Sequence, residues 1–517
     1  MGDFIMNSIQ ILLIAVIVIY MIGMLVIGFA FNNKGESANS SSFFIGGRSL
    51  GPLVTAMSAE ASDMSSYLLM GLPGLAYLSG LAEVSWTAIG LAVGTYLNFL
   101  IVAKCIRRYS AKINAITVPE FFSNRYGDKR HVLSFVSALI IIIFFVPYTA
   151  SGFKAVGTLF NSLFGFDYHV AMIVGALVII LYTTLGGFMA VSTTDLVQSI
   201  FMTVALVVII VFGLNQAGGL DNVINNAKDL PGYFNMLQGY DASTGTAGSF
   251  GVLSIISTLA WGLGYFGMPH ILLRFMAIKD EKMLKTSRRI AAVWVVLSMV
   301  VAIMIGIIGL CLSSNGILET LTTSSESETI IIRIADLMSQ HGVVLIIFAG
   351  IILSGILAAT MSTADSQLLA SASSISHDLV HNFFGVNLSA KATMRLSRLT
   401  IIGISLVAIF LAWDPDSSVF GIVSFAWAGF GAAFGPTVLL ALFWKRSNKY
   451  GALSGMIVGG VVIFVWNFLL SPMGGVWSIY ELLPGFIIGL LVNVIVSLAT
   501  AAPDAEIVKT FEEVHAK

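Results

Sequence analysis

Nine residues, Ser58-Ala59-Glu60-Ala61-Ser62-Asp63-Met64-Ser65-Ser66, place two carboxylates and four serines in the middle of an apolar stretch from about 50 to 78. About 20 apolar residues cross a bilayer, and a carboxylate at mid-membrane costs roughly 3 kcal/mol or more. It is retained there only when it faces a polar cavity or a partner. Serines and small residues let a helix open and re-satisfy its freed backbone groups. The chemistry expected is therefore binding, in a discontinuous membrane helix whose break holds a cation or a polar solute. The competing reading is a serine-rich helix-packing seam.

A second polar run is Leu357-Ala358-Ala359-Thr360-Met361-Ser362-Thr363-Ala364-Asp365-Ser366-Gln367. Ala359, Ser362, Asp365 and Ser366 share one helical face, with Thr363 and Gln367 on its flank. Hydroxyls, carbonyls and carboxylates are hard oxygen ligands suited to an alkali cation, and no sulfur or imidazole cluster points to zinc or copper. Back-bonding of the hydroxyls to their own helix is the alternative. A third run, Gly186-Gly187 to Asp195, carries Asp195 just inside the end of a span, as an ion ligand, a gate residue or a snorkelling acid.

Trp261 and Tyr265 lie four apart in Trp261-Gly262-Leu263-Gly264-Tyr265-Phe266-Gly267-Met268-Pro269, where glycine and proline disfavour a continuous helix. Tyr148 is positioned to join them. Aromatics with polar tips suit a small amphipathic solute; core packing is the plain alternative. Lys154, inside an apolar span, either snorkels to the outer interface or pairs with Glu60. His270 and Arg274 follow the second interruption and belong to an inner gate or the interface.

The elements that must position these groups are membrane helices. Of 517 residues, 57% are hydrophobic and 10% charged, far below the roughly 25% charge of soluble domains. The expected class is an all-α polytopic membrane protein. The net charge of -1 says nothing about nucleic acid, but no basic, aromatic-interleaved stretch appears and no nucleic-acid partner is expected. Cys105 and Cys311 suggest neither a disulfide framework nor a metal site. The N-terminus is acidic where a signal peptide is basic, and Met6 removes the myristoylation pattern that Met1-Gly2 opens.

Hydropathy predicts thirteen spans: about 9–31, 50–78, 81–106, 131–160, 168–187, 189–214, 249–276, 289–313, 341–374, 397–413, 418–443, 451–471 and 476–500. Lys34, Arg48, Arg107, Arg108, Lys112, Arg125, Lys129, Arg130, Lys279, Lys282, Lys285, Arg288, Arg289, Lys391, Arg395, Arg398, Lys445, Arg446 and Lys449 fall in loops on one side, against Lys228 and Arg333 on the other. Positive charge stays inside, so the N-terminus is expected outside and the tail after 500 cytoplasmic. That tail reads as an amphipathic or frayed helix. The outer loops are 215–248 and 314–340, and the second has helical spacing over Glu328–Met338, a candidate lid.

Five spans over 50–214 and five over 249–443 each begin with an interrupted member, in opposite orientations. Paired interruptions in inverted halves point to a transporter's substrate site. The organisation expected is 1–49, a first helix and inner loop; 50–214, the first repeat; 215–248, an outer loop; 249–443, the second repeat with its outer loop 314–340; and 444–517, two extra helices and a short tail.

Four motifs, in order and across about 10–500, carry a resemblance. They are Ser58 to Ser65 followed by Leu68-Leu69-Met70-Gly71-Leu72-Pro73-Gly74, then Gly186 to Asp195, then Ala260 to His270, then Ala358-Ala359 to Thr363. They resemble the sodium/solute symporter family, and within it the sodium/proline symporter branch. The resemblance implies a LeuT-type fold, a 5+5 inverted repeat with thirteen transmembrane helices, in the plasma membrane. It implies no enzyme, but sodium-driven uptake of L-proline or a similar solute, sodium being co-transported. The main sodium site it implies is Ala61, Met64 and Ala359 through their carbonyls, with the hydroxyls of Ser362 and Thr363. Asp63 matches a carboxylate beside that site, and Asp195, Asp365 and Ser366 a second sodium or coupling site. Tyr148, Trp261, Tyr265 and Pro269 match substrate positions, and Ser65 and Glu60 in the first break complete the candidate pocket. Glu60, Met268 and Lys154 depart from the branch's pattern, which leaves another amino acid, sialic acid, pantothenate or a choline-like solute as alternatives. A non-transporting sensor is disfavoured by the short tail, and a channel by the lack of repeated filter residues.

Overall fold

A computed structural model describes residues 7–35, 40–242 and 244–516, with the side chains at 31–35, 40–42, 185–186 and 390 left aside. The expectations resting on Met1–Met6 and on the Lys34 side chain lie outside them. The helices that matter below are α1 (Ser8–Gly35), α2 (Pro52–Ser66), α3 (Leu72–Ser79), α4 (Leu81–Leu97), α5 (Ala103–Lys112), α6 (Val132–Phe164), α7 (Tyr168–Gln216), α8 (Val252–Leu259), α9 (Pro269–Ala277), α10 (Leu284–Ser314), α11 (Ile330–Ser339), α12 (Val343–Ser373), α13 (Ala390–Leu411), α14 (Val419–Phe443), α15 (Lys449–Val465), α16 (Leu482–Ala499) and α17 (Ala505–His515).

Among the described residues ten helices are long and apolar enough to cross a membrane, or eleven if α8 and α9, bent by 45° at their break, form one span. The protein is a mostly helical, polytopic membrane protein. Thirteen spans were expected; Pro52–Ser79 is diluted by its acids and serines, and Tyr168–Thr184 is shorter than the rest. The fold is not purely α either. In the 215–248 loop Gln238–Asp241 pairs antiparallel with Thr246–Ser249, a hairpin exposed enough that no helix competes for its backbone.

α12 lies at the centre, packed on α7, α2 and α6. Its residues from Ile352 to Ser373 are all buried, which explains why it has no polar outer face: it is surrounded by protein, and its serines and threonines face other helices. α1 and α13, by contrast, keep apolar side chains such as Ile19 and Phe410 exposed, as lipid-facing helices do.

Both interruptions are real. Inside α2 the chain leaves helical geometry at Ser65 (φ 47°, ψ −166°) and continues as a π-helix over Tyr67–Gly71. A left-handed serine is costly unless its surroundings hold it. Here the Ser65 hydroxyl accepts from the Tyr67 amide at 3.1 Å. After α8 the chain tightens into a 3-10 turn over Ala260–Phe266, then bends before Pro269. A Cβ on Gly264 would lie 2.0 Å from the Trp427 indole nitrogen, so only glycine lets α14 approach this closely. A third break, at Gly187 (φ 60°), divides α7 where the glycine pair was read as a boundary.

The last expected span starts later than predicted, at Leu482, because Gly474 and Gly475 hold positive φ and the chain there makes short 3-10 turns. The candidate lid forms α11, capped through a Thr323–Glu326 capping box on the turn before it, with Ile330, Ile331, Ile332 and Ile334 buried. The tail is an ordered amphipathic helix, α17. Its Phe511 lies 5.1 Å from the Arg125 guanidinium, which Tyr109 and Tyr126 also flank.

Candidate functional site

The break in α2 faces the middle of α12. A helix that opens at Ser65 leaves carbonyls in the preceding turn without their usual amide partners. One of them, Ala61, accepts a 2.7 Å hydrogen bond from the Ser362 hydroxyl. Ser362 also reaches the Ala359 carbonyl at 3.2 Å, and the Thr363 hydroxyl reaches the same carbonyl at 3.2 Å. Two hydroxyls and two carbonyls from two helices thus converge in a buried position. Met64 is buried in the same turn, with its carbonyl accepting from the Tyr67 amide at the break. These five residues are the ones the sequence singled out for sodium. Their donor set is all oxygen and neutral, the chemistry a singly charged alkali cation takes.

Asp63 lies two residues before the break. Its Oδ2 accepts from the Tyr265 hydroxyl at 2.5 Å, and its carbonyl from the Tyr148 hydroxyl at 3.1 Å. Two tyrosines from α6 and from the second interrupted segment therefore meet on one residue of the first. Trp261 stacks on Tyr480 (4.9 Å between centroids) and Tyr67 (5.6 Å), and its carbonyl accepts from the Trp427 indole at 2.8 Å. Trp261, Phe420, Tyr480, Glu83 and Glu481 line a cavity of about 370 Å³ at the end of the bundle opposite the basic loops. Pro269 opens α9, whose first turn receives no side-chain cap. Its amides are free to meet a carboxylate.

Asp195, Asp365 and Ser366 also come together, but around a positive charge of the protein's own. Arg274, on α9, donates to Asp195 Oδ2 at 3.1 Å, to Ser366 and, through Nε, to Ser58 at 3.0 Å. Ser58 donates to the same Asp195 oxygen at 2.6 Å. Asp365 accepts from Tyr182 at 2.6 Å and from Ser366 at 3.3 Å. Arg274 was read as a gate or interface residue; it is buried at the centre of this network instead.

Below it, the two interrupted segments meet at the basic end. Leu50 and Ile278, at the ends of the two interrupted segments, form a parallel backbone bridge. Arg48 donates to the carbonyls of Met276 and Ala115, both at 2.6 Å. Burial, then the neighbouring Arg107, pushes the Arg48 guanidinium down to about 10, still charged at neutral pH.

A model of the sodium:solute symporter family matches residues 43–459. The chain belongs to that family. The high-affinity proline transporter PutP of Bacillus subtilis is 42% identical over 494 residues, 95% of this chain and 98% of that one. A sodium/proline symporter of Haemophilus influenzae is 42% identical over 504 residues, 96% of each chain. In fold, this symporter matches a solved sodium-coupled sialic acid symporter in a substrate-bound, outward-open state, with a TM-score of 0.78 at 19% identity over 97% of this chain and 100% of that one. That likeness concerns the fold.

Of the two readings of Lys154 in this symporter, the pair with Glu60 is absent: the Lys154 ammonium donates to the Pro415 carbonyl at 2.6 Å, toward the far end of α6. A flexible four-carbon stem carries the charge to the nearest polar loop rather than toward mid-membrane. Glu60 stays buried with Oε2 lacking a hydrogen-bond partner.

Several residues of the site had no sequence signal. Tyr480 and Phe420 come from the turn before α16 and from the first turn of α14, far from the polar runs that stand out in the sequence. Tyr67, directly after the break, could have been found from its position. Glu328, just before α11, accepts from Ser418 (2.8 Å) and from the amides of Val419 (3.0 Å) and Phe420 (2.9 Å), capping α14 and tying the segment before α11 to it. Burial pushes its carboxyl above the usual range, against the pull of these three bonds.

Proposed function

We propose that this symporter carries L-proline into the cell together with sodium, by alternating access. The observation that carries the reading is the meeting of the α2 break with α12: the Ala61 and Ala359 carbonyls and the Ser362 and Thr363 hydroxyls at one buried point, beside Asp63. The relatives named for proline, alike over nearly the whole chain, support the solute.

In this reading sodium replaces the Ser362–Ala61 hydrogen bond, whose net worth is only about 1 kcal/mol. The ion takes up the carbonyls of Ala61, Met64 and Ala359 and both hydroxyls, and so ties α2 to α12. That orders Asp63 and its two tyrosines, and the pocket formed with Ser65, Tyr148, Trp261, Tyr265 and Pro269. Ion and solute then favour each other reciprocally. The proline carboxylate meets the first-turn amides of α9, and its ring packs on Trp261. The inward sodium gradient and the membrane potential, worth about 2.3 kcal/mol per charge at 100 mV, drive the occupied carrier inward. At Asp195, Asp365 and Ser366 the Arg274 guanidinium supplies the positive charge, so these residues couple α7, α9 and α12 rather than hold a second ion.

The reading includes thirteen transmembrane helices in a LeuT-type 5+5 inverted repeat, counting Pro52–Ser79, Tyr168–Thr184 and the α8–α9 pair as spans. It places the protein in the plasma membrane with the basic end cytoplasmic, the N-terminus outside and α17 inside. The inner side is then closed by Arg48 and the Leu50–Ile278 bridge.

A second reading is favoured by one observation. Glu60, a buried carboxyl near Asp63 with an unpartnered oxygen, suits a solute with a second positive charge. Uptake of labelled proline into proteoliposomes under a sodium gradient, beside a panel of cationic amino acids and choline, separates the two. Proline uptake that needs sodium is the expected result; no proline uptake with strong uptake of a cationic solute would establish the second.

A further inference from the structure

The basic end carries a second feature that solute binding does not use. α4 continues through a π-turn, Asn98–Val102, into α5, and this element packs along α10. Between them opens a groove of about 490 Å³ whose lining includes Leu100, Lys104, Lys282, Lys285, Arg288 and Glu281. Arg108 also lines it and is held by Glu281, with Nη2 at 2.6 Å from Oε1. The other four cations form no ion pair among the described residues. Arg288 lies over the Tyr96 ring at 5.1 Å, and its Nε is buried without a hydrogen-bond partner.

The walls change character along the helices. Leu100 stands about one turn before Lys104, and Val296 about three turns after Lys285 on the same face of α10. Leu100 lines the groove, and beyond it Leu97 and Ile101 on the α4 side and Val293, Val296 and Val300 on α10 are exposed. The groove is thus cationic at the level of the membrane interface and apolar toward the membrane interior. The neighbouring 880 Å³ cavity beside α17 lacks this shape: its cations face Asp280, Glu281 and Glu513, and Lys112 is paired with Glu513 at 2.8 Å.

We propose that this groove binds the headgroup of an anionic phospholipid from the leaflet at the basic end, with the acyl chains along Leu100 and Val296. A phosphodiester carries one negative charge with several acceptor oxygens and is repelled by a carboxylate; here Arg108 occupies the one carboxylate and leaves four cations for the lipid. Membrane-surface attraction for anionic lipid is about 1 kcal/mol per basic residue, and a basic pocket between two spans concentrates it. The lipid would also brace the wall that reaches the transport site. Asn98, in the π-turn, donates to the Tyr265 carbonyl at 2.9 Å, and Phe99 packs edge-on against Phe275 of α9. The proposal rests on the chain's spanning a membrane, and not on which solute it carries.

The test is native mass spectrometry of the full chain in mild detergent, titrated with phosphatidylglycerol or phosphatidylcholine. The variants are Lys104→Gln/Lys285→Gln/Arg288→Gln, and Arg288→Gln alone in case the triple change assembles poorly. The control is Lys449→Gln at a different basic cleft. The wild type and the control should retain phosphatidylglycerol about tenfold better than phosphatidylcholine, the triple variant should lose that preference, and Arg288→Gln should weaken it. Equal retention of the two lipids by the wild type, or an unchanged preference in both groove variants, overturns the proposal. Displacement of the lipid by excess inorganic phosphate also overturns it, because the groove would then be a site for the free anion.

Discussion

The Ser362 hydroxyl donates a 2.7 Å hydrogen bond to the Ala61 carbonyl, joining the centre of α12 to the broken helix α2 across 301 residues of sequence. The bond links the two elements that sodium is proposed to hold together. A cation bound there would need the hydroxyl to turn its lone pairs inward and the carbonyl to give up its donor.

Ser362→Ala and Thr363→Ala each remove one oxygen ligand. A bond from a charged group is worth about 1.5–3 kcal/mol, so each variant should raise the sodium concentration for half-maximal uptake about tenfold or more. Solute affinity at saturating sodium should change by much less. If both affinities fall together and the purified protein is unstable, the hydroxyls pack the helices and do not bind the ion.

Tyr265→Phe and Tyr148→Phe keep the rings and delete one bond each to Asp63. Tyr265 contacts the carboxylate and Tyr148 only the carbonyl. Loss of solute affinity should therefore be larger for Tyr265→Phe, roughly tenfold, and smaller for Tyr148→Phe. Trp261→Ala, which removes the ring stacked on Tyr480, should weaken solute binding further still. Equal, unchanged affinity in all three would take these aromatics out of the pocket.

The polar cluster proposed to hold sodium was legible in part because membrane burial makes polar residues conspicuous. Ser362 and Thr363 stand out against an apolar background, and helical spacing says which of their neighbours share a face; Ala61, an alanine, was named only through the family resemblance. The breaks were legible because glycine, proline and serine are where helices open. What stayed hidden was pairing between distant elements. Arg274 looked like a gate residue because its own neighbourhood is apolar; only the packing of α7, α9 and α12 brings Asp195 and Ser366 to it. Lys154 could be read as snorkelling or as a partner of Glu60, because sequence gives no depth along the membrane normal; its bond to Pro415 decides against the pair. Tyr480 and Phe420 carry no local signal at all.

Arg274 sits in a buried network with Asp195, Ser58 and Ser366. Arg274→Gln leaves the Asp195 carboxylate buried and uncompensated, a change costing about 3–5 kcal/mol. Asp195→Asn strands the guanidinium in the same way. Each single variant should lose transport and thermal stability, and the double variant should regain a clear part of both, with a coupling of at least 1 kcal/mol. Additive losses would mean that the two residues act separately, and would reopen Asp195 as an ion ligand.

Glu328 caps the first amides of α14 from the lid segment. Replacing a capping side chain by alanine costs about 1 kcal/mol, so in Glu328→Ala the Val419 and Phe420 amides should exchange hydrogen about fivefold faster. Glu328→Gln keeps an acceptor and should fall between. Exchange at wild-type rates in Glu328→Ala would show that the lid is not anchored through this carboxyl.

Glu60 and Lys154 provide the last test, because the alternative that paired them is absent. Lys154 bonds to Pro415 and Glu60 retains an unpartnered oxygen. Two residues without a shared partner should give additive effects, within about 0.5 kcal/mol. Lys154→Met should cost little in transport, since a methionine fills the same space and Pro415 can turn to water. Glu60→Gln should act alone, and its direction distinguishes the two solute readings. If proline is the solute, removing the charge from a buried, unpartnered acid should leave proline uptake intact or raise it. If the solute carries a second positive charge, its affinity should fall about tenfold or more in Glu60→Gln while that of neutral amino acids does not. Recovery of transport in the Glu60→Gln/Lys154→Met double variant, relative to either single one, would establish a pairing in some other state of the transport cycle.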